Sequence, residues 1–568
     1  MPGILAIGAQ DVDIGRLDLE FKALGPLVID RKTLDAAALW RFVNPKFLDD
    51  KVFQDDADLA VAMDGVVFNF RRLAEPHGGD RFAAVKAMYA AEGDEFFKAF
   101  RGEFSGILYD KRRRRWLIFV NPTGSKPLYY YHAPGLLVCS SQLDVVTQAL
   151  RALGRKFTLD AFGAYCLLTY GFMLEDHTLI SEVKRLRPGC YLTVEGGAAT
   201  ERTYLRLGDQ PELREAKADI IERLDVLFQA AVVRAYEKDA ECGYDHLATL
   251  SGGLDSRMNF LVAYQAGYKR QVALTFAQND YLDEQIAKQI TSDLKVEWLF
   301  YSMSHGHYLE PIFEHAVRAN GGLVLFAGSA HLLSAMRRVS VERAGMLHMG
   351  QVGDAVLGSF LRSVAPRKAD VSWGAYSTFL LDRIAGEAAR IVDRYPTENE
   401  FLMYSRAFNG ALNGNWTVYQ FTEVTSPFLD SEFLAYAMRI PRRLRYKEQI
   451  YTDWIIAKRP LAAKYKWEKI RAMVTDPPWL RRIKRYWWMA GIVLGNRWDQ
   501  KSMNPFDYWH RSNPALRTWV EAYWNQNSHL LDGQAELKKD AGRMFQERPL
   551  LEKTQVMTLL AALRMHFG

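Results

Sequence analysis

Cysteine is scarce in this 568-residue chain: there are four, Cys139, Cys166, Cys190 and Cys242, and no two form a CxxC pair. That spacing excludes a recognisable zinc site or disulfide framework and leaves reduced, buried thiols as the expected state. No apolar run reaches about 18 residues, and no basic segment followed by an apolar stretch opens the sequence. Neither a membrane span nor a secretory leader is therefore expected, and the expected location is cytoplasmic. The net charge of +6 is small for this length, which gives nucleic acid little to bind. Low-complexity segments and internal repeats are missing, as is the common phosphate loop Gly-x-x-x-x-Gly-Lys-Ser/Thr.

What is present is the material of a packed globular protein, 49% hydrophobic and 13% aromatic, in a chain too long for one core. Two domains are the default expectation. Leu247-Ala248-Thr249-Leu250-Ser251-Gly252-Gly253-Leu254-Asp255-Ser256-Arg257 reads as a buried parallel strand, a tight polar turn and the start of a helix whose apolar spacing continues from Met258 to Tyr268. Adjacent glycines leave main-chain N–H groups open to a ligand, and the first turn of a helix favours an anion. Two serine hydroxyls add donors. Asp255 would repel a bare phosphate and makes sense only beside a bridging cation such as Mg²⁺. The loop reads as a pyrophosphate and magnesium cradle.

Before it, short alternating segments such as Val61–Phe70, Phe104–Asp110 and Trp116–Val120 read as hairpins of an antiparallel sheet, with a helix from about Asp80 to Glu92. The basic run Lys111–Arg115 falls where a hairpin must reverse and is expected to be a solvated turn. A polar stretch near 207–215 marks the domain boundary, followed by a helix from about Ala216 to Tyr236. Beyond the motif, strands at Gln271–Phe276 and Val296–Tyr301 separated by a helix predict a doubly wound parallel sheet, with ligands at the carboxyl ends of its strands. The basic and aromatic stretch Trp479–Trp498 is expected to be an amphipathic helix packed on its own domain with basic residues on the wet side.

The Ser-Gly-Gly-Leu-Asp-Ser loop resembles the PP-loop of the ATP pyrophosphatases. Asp64–Phe70, Phe100–Gly106, Gly124–Tyr130 and Arg185–Gly189 resemble, in order and spacing, the glutamine amidotransferase domain of asparagine synthetase. Gly350–Gly358 and Thr422–Asp430 resemble segments of the synthetase domain of that family. The resemblance covers roughly residues 1–470. It implies a two-domain α/β protein: an N-terminal antiparallel αββα-type sandwich of the class II amidotransferase kind at 1–205, a doubly wound parallel PP-loop domain rich in helices at 215–475, and a helical C-terminal extension at 476–568.

The implied chemistry is ATP-dependent adenylation of a carboxylate with release of pyrophosphate, then transfer to an amine or ammonia with loss of AMP. ATP and Mg²⁺ are the implied cofactors. Leu250, Ser251, Gly252, Gly253, Asp255, Ser256, Thr275 and Gly350 form the expected nucleotide-binding set, and Asp255 with Asp354 the metal pair. Glu423 stands where cyclising relatives carry a catalytic glutamate, and its structural reading is a buried, paired carboxylate. Lys447 lies one residue before the place of the family's charge-neutralising lysine, which Glu448 occupies. Gln351 replaces a glutamate or tyrosine and bears on the choice of nucleophile.

The family's glutaminase uses an N-terminal cysteine. Pro2 here, together with Arg101-Gly102 where relatives carry an acidic residue and glycine, implies that the amidotransferase fold is kept and its activity lost. Expected partners are a small-molecule or peptide carboxylate and an amine or ammonia, with no nucleic acid and no membrane span; a homodimer is admitted. Asparagine synthesis from ammonia, macrolactam formation of the β-lactam or lasso-peptide type, and a catalytically silent nucleotide-binding regulator are the alternatives.

Overall fold

In strand β1, Gly3–Ala9, the side chains of Ile4 and Ala6 point to one face while Leu5, Ile7 and Ala9 point to the other, and both sets are buried. That alternation dictates layers on both sides of its sheet. The computed structural model describes residues 2–9, 14, 17–208, 210–495 and 497–568. Strands β2 (Val28–Leu34), β3 (Ala37–Val43), β4 (Phe53–Asp55), β5 (Leu59–Val67), β6 (Gly102–Asp110), β7 (Arg115–Val120), β8 (Tyr129–Ala133), β9 (Leu136–Ser140), β10 (Lys184–Arg185), β11 (Cys190–Glu195) and β12 (Ala198–Thr203) complete the N-terminal half. They form two antiparallel six-stranded sheets, ordered β10-β8-β9-β1-β3-β2 and β12-β11-β7-β6-β5-β4.

Ile4, Ala6 and Leu39 of one sheet share a core with Ala60, Ala62, Ile107 and Ile118 of the other. On the far face of the second sheet, Val61, Met63 and Phe119 meet Val85 of helix Arg81–Glu92 together with Phe96 and Phe97. On the far face of the first, Leu5, Ile7 and Val138 meet helices Leu143–Ala152 and Ala161–Tyr170. The basic run is the turn between β6 and β7; Arg112, Arg113 and Arg114 are exposed while Arg115 opens β7 and pairs with Asp94.

A five-stranded parallel sheet follows, ordered β15-β14-β13-β16-β17, with β13 Asp245–Thr249, β14 Gln271–Ala277, β15 Trp298–Ser302, β16 Ala344–His348 and β17 Val424–Thr425. Helix Lys217–Glu241 leads into it, and helices Leu254–Gln265 and Leu282–Leu294 make its first crossovers. The chain is thus a two-domain α/β protein with antiparallel and parallel sheets. Its last helix, Leu550–Phe567, returns to the N-terminal half: Gln555 donates to the carbonyls of Leu167 and Leu168.

One expectation holds only in part: the basic Arg482 and Arg485 are on the wet side, but the apolar stripe is there too. Helix Pro478–Leu494 turns its apolar stripe outward, with Trp479, Ile483, Tyr486, Trp487, Val493 and Leu494 exposed. Its inner face is held by Arg481 on the carbonyls of Val474 and Asp476, Lys484 on Asp476 at 2.6 Å, and Trp488 under the Arg471 guanidinium. Polar bonds at one side of the helix decided its rotation, which the count of apolar residues could not.

Candidate active site

The loop 250–256 leaves the carboxyl end of β13, and the loop 349–354 leaves the carboxyl end of the adjacent β16, so both open on the same edge of the sheet. Between them lies a cleft of about 400 Å³ lined by Ser251, Gly253, Asp255, Ser256, Gly350, Gln351 and Asp354, joined by Asp283, Glu448, Trp467, Glu468 and Lys469. The two loops touch closely. A Cβ on Gly350 would lie 2.2 Å from the Asp255 carbonyl carbon, so only glycine permits this approach.

Inside the loop, Ser251 N–H donates to Ser256 Oγ (3.1 Å), Gly253 N–H donates to Ser251 Oγ (3.1 Å), and the two hydroxyls are 2.9 Å apart. Helix Leu254–Gln265 starts immediately after, and its first-turn N–H groups have no intrahelical partner. The buried Arg257 guanidinium binds the carbonyls of Gly252, Ala462, Tyr465 and Lys466, clamping the loop to the segment that carries Trp467, Glu468 and Lys469.

The cleft crowds Asp255, Asp283, Asp354, Glu448 and Glu468 together, with Lys469 and Arg471 paired to the two glutamates. Burial, and then the charge of Asp354, pushes the Asp255 carboxyl well above the usual carboxylate range, against donation from the Asp354 N–H (2.9 Å) and the Tyr451 hydroxyl (2.8 Å). Asp283 accepts from Gly252 N–H at 2.7 Å, and burial with the nearby Glu468 pushes it up to about 7. Burial also raises Glu448, whose Oε2 pairs with Lys469 at 2.5 Å while its Oε1 is buried without a partner. Gln351 Oε1 is likewise buried and unpartnered. Val352, Lys447 and Glu448 all adopt left-handed backbone with φ between 56° and 69°, strain gathered around one cleft. Two carboxylates with adjacent hydroxyls form a hard-oxygen donor set, and repulsion between Asp255 and Asp354 is what a divalent cation would relieve; the residues fit Mg²⁺.

Not every expected residue joins this site. Gly252 and Thr275 sit beneath the lining: the Gly252 amide is occupied by Asp283, and Thr275 donates to Leu250 O at 2.7 Å. Lys447 is exposed, over the Tyr446 ring, and does not line the cleft. The lysine that does is Lys469, supplied by a different segment. Glu423 turns away altogether. Its carboxylate is buried in the seam with the N-terminal half, 2.7 Å from Lys51 Nζ and 2.7 Å from Lys126 Nζ, and accepts from Asn44 Nδ2 at 2.9 Å. Burial alone raises a carboxyl, yet Lys126 and Lys51 hold Glu423 down at about 2. The buried, paired reading of this carboxylate is met, with two lysines as the partners.

Sequence reasoning passed over Asp283, Glu468 and Lys469. The acidic turn at Asn279–Glu284 after β14 was the available signal for Asp283, being another carboxyl-end loop. Nothing in the spacing brings Glu468 and Lys469 to this point; the Arg257 clamp does.

Residues 50–205 match the family described as a glutamine amidotransferase domain. A curated protein of Methanocaldococcus jannaschii with the provisional name asparagine synthetase (glutamine-hydrolyzing) 2 is 23% identical over 216 residues, which are 36% of this chain and 41% of that protein. The chain thus spans about two fifths of that relative's length. Among solved structures, the allosteric regulatory enzyme of purine biosynthesis overlaps 53% of this chain and 74% of its own (TM-score 0.23, 9% identity). Glutamine phosphoribosylpyrophosphate amidotransferase from B. subtilis, with ADP and GMP, overlaps 71% and 90% (TM-score 0.24, 9% identity). Those scores are too low to carry an argument. The class defined is a protein with a glutamine amidotransferase-type domain in its N-terminal half. The second sequence match is to a protein named as an asparagine synthetase.

Proposed function

We propose that the chain is an ATP-dependent carbon–nitrogen ligase that adenylates a substrate carboxylate, releasing pyrophosphate, and passes the acyl group to ammonia or an amine with loss of AMP. The observation that carries this reading is the meeting of the Ser251–Ser256 loop with Asp354 in one cleft at the carboxyl ends of β13 and β16. Asp255 and Asp354 would hold Mg²⁺, which when bound offsets the charge building on phosphorus.

The remaining work falls to this chain's own groups. The first-turn N–H groups and the Ser251 and Ser256 hydroxyls orient an anionic leaving group. Lys469 brings a positive charge to the wall facing them, in the role the sequence suggested for Lys447. Glu448, raised by burial and free at Oε1, is the carboxylate able to accept a proton from an incoming amine, in place of Glu423. Gln351 Oε1 offers an acceptor that orients the same nucleophile.

The N-terminal half serves here as a scaffold without glutaminase activity. Cys139, Cys166 and Cys190 are buried, and burial raises the thiol pKa of all four cysteines, so none has the activated thiolate a nucleophile needs. Arg101 donates to the carbonyls of Lys98, Ala99 and Phe100, and lies 3.3 Å from Glu432. The test is release of pyrophosphate and AMP from ATP and Mg²⁺ across a panel of uronic-acid, aspartate and peptide carboxylates, each with ammonia, amines or glutamine. Turnover with ammonia or an amine but not glutamine supports the reading. Pyrophosphate from no substrate would favour a silent nucleotide binder.

A further inference from the structure

The outward stripe of helix Pro478–Leu494 asks for a partner. Trp479 is 62% exposed, Ile483 47%, Tyr486 72% and Trp487 68%, at the i, i+4, i+7, i+8 spacing of one helical face, and Leu494, 87% exposed, continues it. A monomer rarely leaves so many large apolar side chains in one contiguous row without a use for them.

The helix carries four basic residues and no acidic one. Arg481 and Lys484 are consumed in anchoring it. Arg482 and Arg485 are exposed beside the apolar stripe and have no ion-pair partner among the described residues, and exposed Arg497 and Lys501 follow in the next segment. The helix is also tied to the cleft, since Arg471 lies over Trp488 at 4.1 Å and pairs with Glu468 at 3.1 Å.

We propose that this face is a peripheral membrane-docking surface that lies on anionic lipid. A second copy of the chain docked through the same face would set Arg482 and Arg485 against their own kind, whereas lipid phosphates and carboxylates neutralise them. Trp and Tyr, each an apolar ring with a polar tip, suit the depth where acyl chains give way to headgroups. The helix lies on the surface and does not span: among the described residues no helix is long and apolar enough to cross a membrane. This inference stands whether or not the chain is a ligase.

The experiment is co-sedimentation of the full chain with phosphatidylcholine vesicles, with and without phosphatidylserine, over a range of salt. Binding that requires phosphatidylserine and weakens with salt is expected. Neutralising Arg482→Gln and Arg485→Gln together should weaken it about 30-fold, at roughly 1 kcal/mol per basic residue. Tyr486→Ala with Trp487→Ala should abolish it, and bromine-labelled lipid should quench tryptophan fluorescence only in the parent. All four side chains are exposed, so melting temperatures should match the parent; the arginine pair keeps the test open should the aromatic variant misfold. No binding to either vesicle, equal binding to both, or self-association in solution that Trp487→Ala abolishes would each overturn the proposal.

Discussion

Two carboxylates, the half-buried Asp255 in the cleft and the buried Glu423 in the seam between the halves, face opposite electrostatic fates. Glu423 meets two lysines and an asparagine amide and is held far below its ordinary pKa; Asp255 meets a second carboxylate and is pushed far above it. A compensated charge stabilises a fold, while an uncompensated one is tolerated where a ligand will supply the missing charge. The contrast separates the two acids by the charges they meet, a cation on one side and a second carboxylate on the other.

The largest expected effect is on turnover. Asp255→Asn should reduce pyrophosphate release by roughly 10³-fold, by analogy with loss of a preorganised charge-stabilising group, while its melting temperature holds or rises because like-charge repulsion is relieved. A melting temperature that drops together with activity would break the comparison. Next is Lys469→Ala, for which a fall in kcat on the order of 10²-fold is expected, while exposed Lys447→Ala stays near the parent. The reverse ranking would return the role to Lys447.

Glu423→Gln makes the same chemical change in the seam and should cost about 3–5 kcal/mol of stability by leaving Lys51 without its carboxylate and Lys126 with Asp64 alone, 3.2 Å away, measurable by urea denaturation. Turnover lost at full stability would instead make Glu423 catalytic.

The smallest effects are in pH dependence. With its folded pKa depressed to about 2 from 4.5, Glu423 contributes stability that is full above the unfolded value and lost as pH falls through the folded one. Asp283, raised from 3.8 to about 7, runs the other way: its contribution is full below 3.8 and lost as pH rises toward 7. Glu423→Gln should therefore flatten the acid limb of a stability profile and Asp283→Asn the limb between pH 4 and 7. A profile unchanged by both substitutions would show that neither group titrates in its assigned field.

Much of this was legible in the chain. Strand, turn and helix at Leu247–Ser256, the hairpins of β5, β6 and β7, and the carboxyl-end position of the loop follow from period-2 and helical spacing, because local alternation records which faces are buried. Asp255 is chemically conspicuous in its glycine-rich loop, Asp354 was pointed to by the family resemblance, and the two do meet. For Glu423 the motif left a catalytic and a buried, paired reading open, because a motif does not say to which side a side chain turns. Here β17 is two residues long and delivers its neighbour's side chain to the seam.

By itself, then, the sequence determined the strand-and-helix rhythm and the strand-turn-helix form of the Ser251–Ser256 loop, since each depends on residues near in the chain; Asp354 was singled out by the family resemblance alone. Only the tertiary structure decided that Lys469 faces the cleft while Lys447 does not, that Glu423 is neutralised by Lys51 and Lys126 from the far N-terminal half, and that Trp487 faces solvent. Those outcomes rest on Coulomb and hydrogen-bond partners brought together from distant segments, and no local pattern encodes which partner arrives.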